Sequence, residues 1–175
     1  MFVKRFARDV SAVAAIEFAF IAPVLIIMYF GLAEMTEAMI AQRRVAHTAS
    51  TVGDLVAQSS TMTPSEISDI FTVGQAIVAP FPIAPLEMRV SSVTTDASDK
   101  ATVDWSEGSG MAPLAKGSTV VMPATAMSAS QSVVMSEVQY VYTSPVNYFL
   151  TSPITFSNVY YLHPRISNQV ACATC

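Results

Sequence analysis

The sequence predicts an α+β chain: a long N-terminal transmembrane helix that continues into a domain built on a small antiparallel β-sheet. Three observations predict it. Residues 10–33 contain one charged side chain, Glu17. Residues 34–58 contain no proline and keep a helical spacing of small and apolar residues. From Leu86 onward the apolar period falls to two, the signature of half-buried strands. Charged residues make up 13% of the chain, about half the share of a typical soluble domain, which is roughly 25%. The 175 residues suit one anchor and one modest domain. A net charge of −4 without a basic stripe leaves nucleic-acid binding without an electrostatic basis.

The first element is VSAVAAIEFAFIAPVLIIMYFGLA, residues 10–33. About 20 apolar residues rising about 1.5 Å each cross a hydrocarbon core of about 30 Å. Lys4, Arg5 and Arg8 precede this stretch, whereas Glu34 and Glu37 follow it. The positive-inside rule then puts the N-terminus in the cytoplasm and residues beyond about 34 outside. The expected organisation is a basic cytoplasmic leader (1–12), a transmembrane helix (13–33), its helical extension (34–60) and an outer α+β domain (61–175). A cleaved signal peptide is the rival reading, with Gly31-Leu32-Ala33 as the cleavage site before Glu34. Two features favour an anchor: the apolar run exceeds a signal peptide's usual core of about 7–15 residues, and Glu17 interrupts it. A carboxylate inside a span costs on the order of 3 kcal/mol on insertion scales. Glu17 therefore either reaches the nearby interface or pairs with a positive group on a neighbouring subunit.

Beyond the span, Leu32, Met35, Met39, Ala46, Ala49, Val52 and Val56 form the expected apolar stripe. It serves core packing or, alternatively, an oligomer contact. Arg43 and Arg44 are assigned to a solvated face, and His47 to a polar helix position. A second helix begins at the capping box Thr63-Pro64-Ser65-Glu66 and runs to about Val78, where the prolines at 80, 82 and 85 stop it. Leu86, Met88 and Val90 open a strand, residues 96–100 turn the chain, and residues 101–107 return as a hairpin arm. Gly108, Gly110 and Pro113 then open a loop. A short edge strand is expected at 120–122, the strongest strand at 132–142 and a last one around 156–162, making about four in all. Residues 145–153 form an aromatic loop carrying Tyr148 and Phe149.

No constellation of catalytic residues emerges, so the chain does not read as an enzyme. There is no nucleophile elbow, zinc-binding His-Glu-x-x-His or phosphate-cradling glycine loop. His47 and His163 stand apart, and residues 96–99 read as a turn rather than a metal loop. No cofactor and no metal site is expected. The two cysteines, Cys172 and Cys175, lie on the terminal tail at C-x-x-C spacing. A local disulfide in an oxidising compartment is the leading reading; intermolecular bonding and redox or metal duty are the others.

The run Ala12-Val13-Ala14-Ala15-Ile16-Glu17-Phe18-Ala19-Phe20 followed by Pro23 resembles the N-terminus of TadE-like pseudopilins of bacterial tight-adherence (Tad, or Flp) pilus systems. Weaker similarities follow in family order: Val103-x-Trp105-Ser106, Gly117-Ser118 before Pro123, Glu137-x-x-Tyr140-x-Tyr142, Tyr160-Tyr161-x-x-Pro164-Arg165, and the terminal cysteine pair. The resemblance implies a pilin-like domain and a structural role as a minor pilin or pseudopilin in the bacterial inner membrane, its outer domain periplasmic. It implies prepilin-peptidase cleavage between Ala12 and Val13, with Glu17 and Phe18 in the family's Glu-Phe pair. Ala12 stands where the family has glycine, which leaves processing open. The implied partners are the membrane, pilins and other Tad components, met through homo- or hetero-oligomeric helix contacts. The alternative is a membrane-tethered periplasmic binding or sensory module that recognises a ligand through Tyr148 and Phe149.

Overall fold

The computed structural model describes residues 10–98, 100–126 and 130–175. The leader residues Lys4, Arg5 and Arg8, and Asp99 of the predicted turn, lie outside the described residues. Helix α1 runs unbroken over Val10–Ala57. Pro23 lies within it and has no N–H for the Ala19 carbonyl, a loss that helices in lipid tolerate.

After β1 (Thr61–Met62) comes α2 (Pro64–Val78). Its capping box is reciprocal: the Glu66 amide donates to Thr63 Oγ1 at 3.3 Å, and the Thr63 amide donates to Glu66 Oε2 at 2.8 Å. Arg44 Nη1 donates to the Ile77 carbonyl at 2.8 Å. That supplies a donor to one of the carbonyls a helix end leaves unpaired. Arg44 is thus half-buried and engaged rather than solvated, whereas Arg43 is exposed as expected.

The strands are β2 (Leu86–Thr95), β3 (Ala101–Ser109), β4 (Thr119–Val120), β5 (Ser132–Tyr142), β6 (Ile154–Leu162) and β7 (Ala171–Cys172). Five of them form one antiparallel sheet in the order β4-β3-β2-β5-β6. Arg89 and Glu137 face each other across β2 and β5, joined at 2.6 Å. Strand β3 extends past the predicted loop start and takes in Gly108, opposite Arg89. The reason is steric: a β-carbon at residue 108 would lie 2.0 Å from the Met111 carbonyl oxygen. Only glycine lets the backbone approach itself so closely there. The turn before β3 is held by Asp96 Oδ1, which accepts from the Ser98 and Lys100 amides at 2.8 and 3.0 Å.

The terminal segment is not a free tail. Strand β7 pairs in parallel with β1, Thr61 opposite Ala171 and Met62 opposite Cys172. Trp105 Nε1 donates to the Val170 carbonyl at 2.7 Å in a fully buried contact. No period-two pattern signals a two-residue strand, so this pairing was invisible in the sequence.

The chain divides into two compact units. One comprises Ile40–Tyr142 with Pro153–Cys175. Its core joins Ala41, Val45, Ala49, Val52 and Val56 of α1, Ile67, Phe71 and Val78 of α2, and sheet residues including Met88, Val90, Val134 and Val138. Each fully buried aliphatic side chain contributes roughly 1.5–3 kcal/mol. A β-carbon on Gly53 would meet Ser136 Cβ at 3.0 Å and Leu162 Cδ1 at 2.5 Å, so glycine seats α1 on β5 and β6. Val93, Ala101, Val103 and Met135 form a further cluster under Met122, with Leu114 and Val120 packed against it. The other unit comprises α1 up to Met39 with Thr143–Ser152.

The α1 stripe differs in phase from the predicted one. Ala49, Val52 and Val56 are buried and Ala46 half-buried, but Leu32, Met35 and Met39 are 61%, 57% and 51% exposed. The buried positions upstream are Glu34, Ala38, Ala41 and Val45. Small side chains permit close approach, and this seam took the alanines in preference to the larger methionines.

Candidate membrane and assembly segment

Between residues 13 and 30 every side chain but Ala22 is exposed. Ile16, Phe18 and Phe20 are 58%, 68% and 76% accessible. A helix apolar around its whole circumference belongs in a buried or lipid environment, and none of this stretch is buried within the chain. This is the one helix among the described residues that is long and apolar enough to cross a membrane.

Val13, Glu17 and Phe18 lie on this exposed stretch of helix. Val13 and Glu17 are four residues apart and therefore share a face. Ala12 lies in the helix. No intrachain hydrogen bond or ion pair to Glu17 occurs among the described residues, so its carboxylate is presented outward.

At the other end of the apolar stretch stands a feature the sequence reading missed. Glu34 is 1% exposed, and its carboxylate accepts three consecutive backbone amides of the loop 143–152. The Tyr148 amide donates to Oε1 at 2.7 Å; those of Phe149 and Leu150 donate to Oε2 at 2.9 and 2.8 Å. Burial pushes the Glu34 carboxyl upward, but the three amides and the Ser144 hydroxyl outweigh it and hold it below the ordinary carboxylate value. The loop also closes on itself: the Asn147 amide donates to Ser144 Oγ at 3.2 Å. Asn147 adopts φ +53°, a conformation asparagine tolerates. A signal for Glu34 did exist. It continues the spacing of Ala38, Ala41 and Val45, and an acid on a buried stripe needs donors.

The Phe149 ring lies against Gly31, where Cε2 would be 3.1 Å from a β-carbon. With Leu150 it borders an apolar groove whose other wall is Val24, Ile27, Met28, Leu32 and Met35. Tyr148 packs edge-on against Phe149, centroids 5.3 Å apart. Among the described residues no three His, Cys, Asp or Glu side chains gather as a metal site. Cys172 and Cys175 are joined by a disulfide, with Cα atoms 5.6 Å apart. His47 Nδ1 meets Thr51 Oγ1 at 3.1 Å, and Arg165 pairs with Asp54.

No curated protein and no solved structure matches the chain. The similarities noted in the sheet, from Val103 to Arg165, lie outside the part of the chain that a family model covers. That part is the helix: residues 12–54, from the start of the apolar stretch through Glu17, Pro23, Glu34 and most of the buried stripe, match the family model of the TadE-like protein, and the resemblance read from residues 12–23 is borne out there.

Proposed function

We propose that this chain is a minor pilin or pseudopilin of a Tad-type pilus assembly system, held in the bacterial inner membrane by residues 13–33. Its N-terminus would be cytoplasmic and its sheet domain periplasmic. One observation carries the reading: the TadE-like match takes in the outward-facing apolar stretch of α1, residues 13–33, whose single carboxylate is Glu17. TadE-like proteins are structural components of pilus machinery, and the role proposed for this chain is structural in the same sense.

Subunits of this kind associate through their membrane helices. Glu17 then works as a register element, because an acid in lipid gains most where a cation of a neighbouring subunit meets it. If the chain is cut after Ala12, the freed amine of Val13 supplies that cation. If it is not, Glu17 pairs with a basic group of another component. The ligand-binding alternative has weaker support, since Phe149 is packed on Gly31 and three loop amides are committed to Glu34.

The test is Glu17→Ala in the native host, with membrane insertion checked by fractionation. Pilus assembly and crosslinking to pilus partners should fall sharply, whereas Phe20→Leu on the same stretch should leave them intact. Unchanged assembly in an inserted Glu17→Ala protein would refute the proposal. The intact mass of the native protein decides processing: loss of residues 1–12 marks cleavage, and the full chain marks an uncleaved subunit.

A further inference from the structure

We infer that the loop 143–152 is a second membrane-contacting element, which seats Tyr148 and Phe149 in the interfacial layer of the lipid leaflet nearest Glu34. The inference rests on the reading of residues 13–33 as a membrane anchor and is independent of the pilus role.

The groove beside Phe149 has one wall made of the span itself. Val24, Ile27, Met28 and Gly31 belong to the apolar stretch, so whatever solvates that stretch meets the loop as well. Depth follows from helix geometry. Pro23 is the midpoint of residues 13–33, and Gly31 lies eight positions further along. At about 1.5 Å per residue, Gly31 is about 12 Å from the bilayer centre. The hydrocarbon half-thickness is about 15 Å, so the ring packed on Gly31 sits just inside the boundary. Aromatic residues concentrate at that level, and Tyr29 and Phe30 of the helix, 69% and 43% exposed, lie there as well.

A loop can approach hydrocarbon only if its backbone donors are satisfied, because bare amides cost several kcal/mol in lipid. The loop meets this demand where it is greatest: the amides of Tyr148, Phe149 and Leu150 all donate to Glu34. Its side chains comply too. Residues 143–152 carry no charge, while Val146, Tyr148 and Phe149 remain 48%, 61% and 48% exposed. Exposed apolar side chains beside a lipid-facing helix and over a capped backbone fit a lipid partner.

The experiment uses the full chain in vesicles of zwitterionic phospholipid, with or without bromine on the acyl chains. The native chain has one tryptophan, Trp105, which is buried and hydrogen-bonded and so supplies the background emission. Phe149→Trp, Tyr148→Trp and Val24→Trp are compared with it by difference, and an unchanged far-ultraviolet circular dichroism spectrum certifies the fold. The inference expects blue-shifted emission from residue 149 or 148 that is lost in brominated lipid, alongside quenching at residue 24. Quenching at 24 with none at either loop position overturns the inference while leaving the anchor standing, and would put water or protein over the groove. Absence of quenching at 24 overturns the anchor reading, and the inference with it.

Discussion

The Glu34 carboxylate accepts the Phe149 backbone amide at 2.9 Å across 115 positions of sequence, and takes the two flanking amides as well. One side chain of α1 thereby fixes the path of the loop between β5 and β6.

Removing that acceptor should free the loop without unfolding the sheet. In Glu34→Ala, the amides of Tyr148, Phe149 and Leu150 should lose hydrogen-exchange protection, while β5 amides such as Val138 keep theirs. Glu34→Gln, which retains one carbonyl oxygen, should fall between. Equal protection in all three proteins would show that the loop holds itself.

The same clamp sets a pH response. Because the folded-state value of Glu34 lies below its ordinary 4.5, its contribution is fully present above that value. It declines as pH drops further, through the lower folded value. Loop protection, corrected for intrinsic exchange rates, should be flat from pH 7 to about 5 and decrease only under stronger acid. A decline beginning near neutrality would assign the clamp to some other group.

Gly108 and Gly117 separate two costs of adding a methyl group. Gly117→Ala, at φ +80° with open space around it, should cost roughly 1 kcal/mol, the penalty of left-handed backbone alone. Gly108→Ala drives a β-carbon into the Met111 carbonyl and should cost several-fold more, on the order of 3–4 kcal/mol. Thermal denaturation of the detergent-solubilised chain gives the order, and reversal would show that β3 relaxes freely there.

Trp105→Phe strands the buried Val170 carbonyl, at a cost of about 1–3 kcal/mol, and adds the cost of the space the smaller ring leaves empty. The double substitution Cys172→Ser and Cys175→Ser opens a very short loop, for which chain entropy allows only about 2 kcal/mol. Trp105→Phe should also speed reduction of the Cys172–Cys175 bond, because it loosens β7. Equal reduction rates would mean that β1 alone holds the strand.

How much of this was legible depended on the range of the interaction. The apolar span, the reciprocal cap of Thr63 and Glu66, the stop at the prolines after Val78 and the alternation in β2 and β5 all rest on residues a few positions apart. Local chemistry determines such elements. The phase of the α1 stripe did not follow, because the helical spacing of apolar residues admitted Leu32, Met35 and Met39 whereas the buried seam took Glu34, Ala38 and Ala41. Nor did the pairing of β1 with β7, whose two-residue strands carry no periodic signal.

The sequence by itself determined that an apolar helix leads into an α+β domain, and that one acid, Glu17, interrupts the span. Only the tertiary structure decided what Glu34 does. A carboxylate just past a span reads locally as the end of the span. Its role as an acceptor exists only where the fold returns three amides from more than a hundred residues away. The same holds for Trp105 and Val170: hydrogen bonds between distant backbone and side-chain groups leave no periodic trace in the chain that makes them.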